Sequence, residues 1–154
     1  MNKYLKDFIT EKFKNYGKSL DLGAGDLSDV NDLKKLGWEC EGVDIKTGVD
    51  LEKHYLSENR PFDMVYSNYL LQKLSNKKEL IKTAYNNLKE GGWFFIHTFD
   101  KTDSNSNSDI TKESLYKMLE KQGFKHIEIK IFDCFDENHN HWHKILEAVC
   151  QKIK

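Results

Sequence analysis

Acids and glycines near the start of the chain carry the first chemical signal. In residues 19–28, SLDLGAGDLS, an apolar run reaches Asp21 and Leu22 and then a turn with Gly23 and Gly25 before Asp26. Glycine at both places lets the backbone bend sharply and lets a ligand approach without meeting a Cβ. A turn that seats a dinucleotide diphosphate has the form G-x-G-x-x-G at the start of a helix. Here the third glycine position is Ser28, and Asp26 stands where the diphosphate would lie. Two carboxylates, Asp21 and Asp26, would repel two phosphates in a poorly solvated cleft. Asp44, 19 residues after Gly25, falls where an acid can accept both hydroxyls of a ribose. Asp50 is placed to meet an adenine amine. These acids are expected to converge at the carboxyl ends of the first three strands, and they suit a ligand with positive charge and no phosphate.

A second group, Ser67, Asn68, Tyr69, His97 and Asp100, is expected at the ends of two later strands. An imidazole titrates near neutral pH, which makes His97 the candidate base, with Asn68 and Tyr69 beside it. The competing reading of His97 is a core histidine bonded to the backbone, and Asp100 can simply begin a loop. Tyr69 is either a lid over the ligand or packing. In HNHWHK, His139, His141 and His143 fall on one side of an extended segment. That spacing could hold a zinc or place a base over the active site, but no cysteine or acid pattern of metalloprotein type accompanies the histidines, so the expectation is a solvated rim and no metal.

The elements that must position these residues follow from periodicity. Leu5, Phe8, Ile9, Phe13 and Tyr16 recur at helical spacing, and Gly17 is expected to end that helix. A strand at residues 19–22 leads into the glycine turn, and a helix over residues 28–35 stops at Gly37. WECEGVDI alternates as a second strand, GVDL at residues 48–51 reads as a very short third, and FDMVYSN as a fourth. Leu80, Ile81, Ala84 and Leu88 form a helical stripe closed by KEGG, and the strand WFFIHTF follows. KTDSNSNSD reads as a solvated loop. Thr111 caps a helix ending at Gly123, and HIEIKIFDCF with HKILEAVCQKI forms an antiparallel hairpin. Strands alternating with helices imply an α/β, doubly wound, mostly parallel seven-stranded sheet with a C-terminal antiparallel hairpin and helices on both faces.

The bulk composition bounds the rest. A chain of 154 residues, 38% hydrophobic and of net charge −1, fits one soluble domain over residues 1–154, with residues 1–17 packed on its core. No apolar run reaches membrane-spanning length, and the start lacks a signal-peptide core. Cys40, Cys134 and Cys150 are odd in number and far apart, as in a reduced cytoplasmic protein. Arg60 is the single arginine, which argues against a nucleic-acid reader. Composition leaves the oligomeric state open.

S-adenosylmethionine, with a sulfonium and an α-ammonium group, is a ligand of the kind these acids suit. LDLGAGD (20–26), GVDI (42–45), FDMVYSNYLLQKL (62–74), LKEGGWFFI (88–96) and ESLYKMLEKQGF (113–124), in this order, resemble the class I S-adenosylmethionine-dependent methyltransferases of small single-domain type. The resemblance implies that Asp21, Gly23, Ala24 and Gly25 line the methionine part of the cofactor. It implies Asp44 at the ribose, Ile45, Asp50 and Leu51 at the adenine, and Ser67 beside the methyl group. The short third strand departs from the family. The absence of an NPPY-type tetrapeptide argues against a nucleobase amine, and a chain without a lid insertion fits either a small acceptor or one reached with a partner's help. In the family the hairpin carrying His139, His141 and His143 lies beside the substrate opening, which implies an acceptor contact. The alternatives are a non-catalytic methyltransferase-like subunit and an NAD-dependent oxidoreductase, which Ser28 and the acids around the turn argue against.

Overall fold

The computed structural model describes residues 1–153. Its elements are α1 (Lys3–Lys12), β1 (Lys18–Leu22), α2 (Ser28–Leu36), β2 (Glu39–Val43), β3 (Phe62–Asn68), α3 (Lys77–Asn87), β4 (Leu88–Phe99), α4 (Lys112–Gln122), β5 (Lys125–Asp136) and β6 (His141–Gln151). Among the described residues the sheet has six strands in the order β2-β1-β3-β4-β6-β5. β2, β1, β3 and β4 run parallel, and β6 joins β4 antiparallel with β5 outside it. No helix among the described residues is long and apolar enough to cross a membrane.

Strand alternation sends successive side chains to opposite faces, so two cores form. Leu20, Leu22, Val65, Phe94, Ile96 and Leu146 face α3 and α4, meeting Leu80, Ala84, Leu115 and Leu119. Met64, Tyr66, Phe95 and Val149 face the other way, against Leu5 and Phe8 of α1 and Leu33 of α2. Helices therefore cover both faces, as the alternating pattern implies. Local signals set most boundaries: Gly37 and Gly123 end α2 and α4 in the left-handed conformation, and Thr111 forms a capping box with Ser114.

Several expectations are corrected. Residues 48–51 form a turn rather than a strand, so the seventh strand is absent from the described residues. The cause is local: Asp44 caps a 3₁₀ turn at Ile45–Thr47, Gly48 turns left-handed, and the Val49 amide donates back to the Asp44 carbonyl at 3.1 Å. α1 stops at Lys12, well before Gly17, because Phe13 turns extended and packs edge-on to Trp38 at 5.2 Å. β4 begins at Leu88, and KEGG makes a register shift within its pairing to β3. The Ser/Asn loop is not wholly solvated, since Asp103 and Ser108 are buried.

Candidate functional site

The turn after β1 is built by its glycines. Gly23 and Gly25 have φ of 91° and 56°, the left-handed region that side chains disfavour. A Cβ on Gly23 would lie 2.8 Å from the Leu70 side chain, whereas one on Gly25 would meet nothing within 4 Å. The Gly25 Cα therefore faces open space. The Gly23 and Ala24 amides both donate to the Val43 carbonyl at 2.9 Å, and the Gly25 amide donates to Asp44 Oδ2 at 3.1 Å. Three consecutive amides are thus tied to the end of β2. An anion-binding nest needs free amides aimed at the ligand, and these are engaged.

Asp21 and Asp44 flank this turn. Asp21 is buried, and loss of water pushes its carboxyl up to about 8, with the Asp29 and then the Asp44 charges adding to the rise and the Tyr66 hydroxyl opposing it. A carboxyl so placed becomes an ion readily only when a cation arrives. Asp44 is held below its usual range, chiefly by the Lys46 amide and also by that of Gly25. Asp26 departs from the expected convergence: it is exposed and accepts the Ser28 amide at 3.0 Å at the start of α2. Asp29, which sequence reasoning did not single out, takes its place beside Asp21. Asp50 is exposed at the rim and accepts the Glu52 amide at 3.0 Å.

Beside the turn lies a cavity of about 220 Å³, floored by Val49, Leu51, Leu70 and Leu74, with Gly23, Asp44, Ile45 and Asp50 at its edges. Ile45 is 70% exposed there, an apolar side chain next to a carboxylate. The slot offers apolar surface for a flat ring and acids for hydroxyl or amine donors. Those features fit an adenosine carrying a cationic tail.

The second group gathers one strand pair away, in two different settings. Ser67 is fully buried, and its hydroxyl donates to the Leu22 carbonyl at 2.8 Å. His97 is also fully buried; its Nε2 lies 2.8 Å from Glu147 Oε1, which can only accept, so Nε2 carries the proton. The Nδ1 lone pair faces the Asn2 amide at 3.3 Å and the Tyr69 hydroxyl at 3.4 Å. Asn68 donates to Asp29 at 3.1 Å. Tyr69, at φ 59°, stacks on Phe99 with ring centroids 5.1 Å apart, and burial pushes its hydroxyl up. Asp100 accepts from the Thr102 amide at 2.9 Å and stays within its loop.

Tyr69 lines a second, larger cavity of about 770 Å³, with Gln72, Lys73, Phe99, Phe135 and the hairpin histidines. His97 does not line it and sits behind Tyr69. Residues 69–74 form the partition, giving Tyr69, Gln72 and Lys73 to this cavity and Leu70 and Leu74 to the smaller one. His141 and His143 share a face of β6, with their Nε2 atoms 3.0 Å apart, while His139 lies in the hairpin turn. His143 Nδ1 is 2.8 Å from Asp103 Oδ2.

Glu147 and Asp103 also escaped sequence reasoning. Glu147 has a signal of its own, a lone acid inside the apolar run ILEAVC, and strand register sets it opposite His97. Asp103 has none, because nothing in a Ser/Asn-rich loop marks one acid for burial.

The comparisons with known proteins bear on the family and the fold. A family model described as "Methyltransferase domain" matches residues 1–128. No curated protein matches the sequence. Among solved structures, phosphoethanolamine N-methyltransferase 2 of Haemonchus contortus, in complex with S-adenosyl-L-methionine, superposes with a TM-score of 0.76 at 16% identity. That match covers 99% of this chain and 53% of the other, so the chain spans about half the length of the Haemonchus enzyme. A Mesorhizobium loti S-adenosylmethionine-dependent methyltransferase matches with TM-score 0.76 and 16% identity, over 97% of this chain and 96% of that one. The Burkholderia thailandensis 1,6-didemethyltoxoflavin-N1-methyltransferase, with bound 1,6-didemethyltoxoflavin and S-adenosylhomocysteine, gives 0.76 and 15%, over 99% and 78%.

Proposed function

Because the chain belongs to the methyltransferase domain family, we propose that it transfers a methyl group from S-adenosylmethionine to a small-molecule acceptor. The observation that carries this reading is the turn after β1. Its three amides are engaged, its Gly25 face is open, and its flanks are the carboxylates of Asp21 and Asp44. That donor set favours a cationic adenosine over a diphosphate and weighs against the oxidoreductase alternative.

In this reading Asp21 pairs with the α-ammonium group, with Gly23, Ala24 and Gly25 along the methionine chain. Asp44 accepts the ribose hydroxyls, and Ile45, Asp50 and Leu51 border the adenine. Ser67 shapes the floor near the methyl group through the Leu22 carbonyl it holds. The cofactor, when bound, supplies an activated methyl on a sulfonium, so the protein's task is alignment and exclusion of water.

The acceptor occupies the 770 Å³ cavity, which lies within the range of small-molecule sites. Tyr69 contacts it, with Asn68 fixing the strand end behind. A proton leaving the acceptor has a path from Tyr69 to His97 Nδ1, where Glu147 stabilises the resulting imidazolium. Titration calorimetry with S-adenosylhomocysteine tests the reading. Saturable binding is expected, and none at high micromolar concentration would end it.

A further inference from the structure

We propose that Asp136, His141 and His143 form a binding site for a zinc-type divalent cation on the wall of the larger cavity. The sequence shows no acid pattern of metalloprotein type beside the histidines, but the fold brings two acids, Asp136 and Asp103, to them. Antiparallel register sets Asp136 at the end of β5 opposite His141, and His143 lies two residues further along the same face of β6. Their ligand atoms all lie within 4.8 Å of one another.

Two edges of this triangle lie close to the spacing such an ion needs. His141 Nε2 to His143 Nε2 is 3.0 Å, and His143 Nε2 to Asp136 Oδ2 is 3.6 Å. Tetrahedral zinc with ligands at about 2.0–2.1 Å separates neighbouring ligand atoms by roughly 3.3 Å. Two imidazoles with one carboxylate suit zinc, cobalt or nickel better than magnesium or calcium, which prefer oxygen.

The supporting contacts point the same way. Asp103, buried in its loop, faces His143 Nδ1 at 2.8 Å and accepts the Lys144 amide at 3.1 Å. A carboxylate can only accept, so the His143 Nδ1 carries the proton and Nε2 presents a lone pair to the triangle. Asp136 Oδ1 accepts the Asn138 amide at 3.0 Å, which steadies the side chain, while Oδ2 faces His143 and also His139 Nδ1 at 2.8 Å. A lone pair and a carboxylate oxygen thus converge with a second imidazole nitrogen. The carboxylates of Asp103 and Asp136 balance the charge of a divalent ion.

Three protein ligands leave a fourth position, and these residues line the cavity together with Tyr69. In the acceptor reading of that cavity, the position takes a donor atom of the acceptor. The metal site itself does not depend on that reading.

The test uses the untagged full chain, stripped of metal with a chelator and titrated with Co²⁺ alone. One equivalent is expected, with the visible absorption of a four-coordinate nitrogen and oxygen site that Zn²⁺ abolishes. His141→Ala is expected to weaken binding by at least tenfold. Asp103→Asn, which spares all three ligands, is expected to weaken it by about 10- to 100-fold. Should Asp103→Asn fail to fold, His141→Ala at the partly exposed hairpin decides alone. Absence of saturable Co²⁺ binding at micromolar concentration overturns the site, as does binding that survives His141→Ala unchanged. S-adenosylhomocysteine titrated into the same samples keeps the two claims separate: Co²⁺ binding without it upholds the metal site while removing the cofactor.

Discussion

The Gly25 amide donates to Asp44 Oδ2 over 3.1 Å, which makes the turn after β1 and the end of β2 one hydrogen-bonded unit. Asp44 also accepts the Lys46 amide through Oδ1, so one carboxylate holds two loops and still has lone pairs for a ligand. Asp44→Ala is expected to weaken S-adenosylhomocysteine binding by about 10- to 100-fold, the value of hydrogen bonds to a charged group. Calorimetry measures it. Unchanged affinity would place the ribose elsewhere.

Asp21 makes cofactor binding depend on pH. Its carboxyl sits at about 8 in the free protein, so at pH 7 it is mostly protonated. Pairing with an ammonium group requires the carboxylate, and binding at pH 7 should therefore release nearly one proton. Affinity should rise from pH 6 through 8 as Asp21 ionises, and fall again only where the ligand's own α-ammonium group loses its charge. Calorimetry in buffers of different ionisation enthalpy counts the proton.

The same carboxyl sets a stability trend. Its folded value exceeds the unfolded one, so the folded state binds the extra proton between roughly pH 4 and 8. This contribution is complete below the unfolded value and is lost as pH rises through the folded one. Asp21→Asn should remove that slope, giving a higher Tm than wild type above pH 8 while abolishing cofactor binding. Thermal melts across pH check the sign.

Gly23→Ala tests the turn from another side. The new methyl group would meet Leu70 at 2.8 Å in a backbone conformation with φ of 91°. A loss of about 1–3 kcal/mol is expected from the strained conformation, read by urea denaturation.

His97, fully buried, and Glu147, half-buried, form a pair whose members are costly to separate. Glu147→Ala should destabilise the protein by about 1–3 kcal/mol, because it leaves the His97 Nε2 proton unpaired. His97→Phe combined with Glu147→Leu should recover most of that loss, since a buried pair can be replaced by apolar groups at little cost. Activity should stay absent in the double variant if the pair serves the proposed proton path.

What the sequence made legible was local. The glycine turn, the caps at Gly37, Thr111 and Gly123, and the apolar run of β3 depend on neighbours along the chain, and those elements stand as expected. The seventh strand failed because Asp44 and Gly48 fold the chain back before any pairing can start. Asp29, Glu147 and Asp103 stayed hidden because their partners lie far away in sequence: Asn68, His97 and His143. Asp26 is local in the opposite way: the Ser28 amide, two residues on at the start of α2, donates to its side chain, the kind of contact a helix-start acid makes.

Residues 69–74 separate the two cavities and press Leu70 against Gly23. A ligand that displaces this wall is felt in both chambers. Whatever factor the first ligand then imposes on the affinity of the second, the second must return to the first.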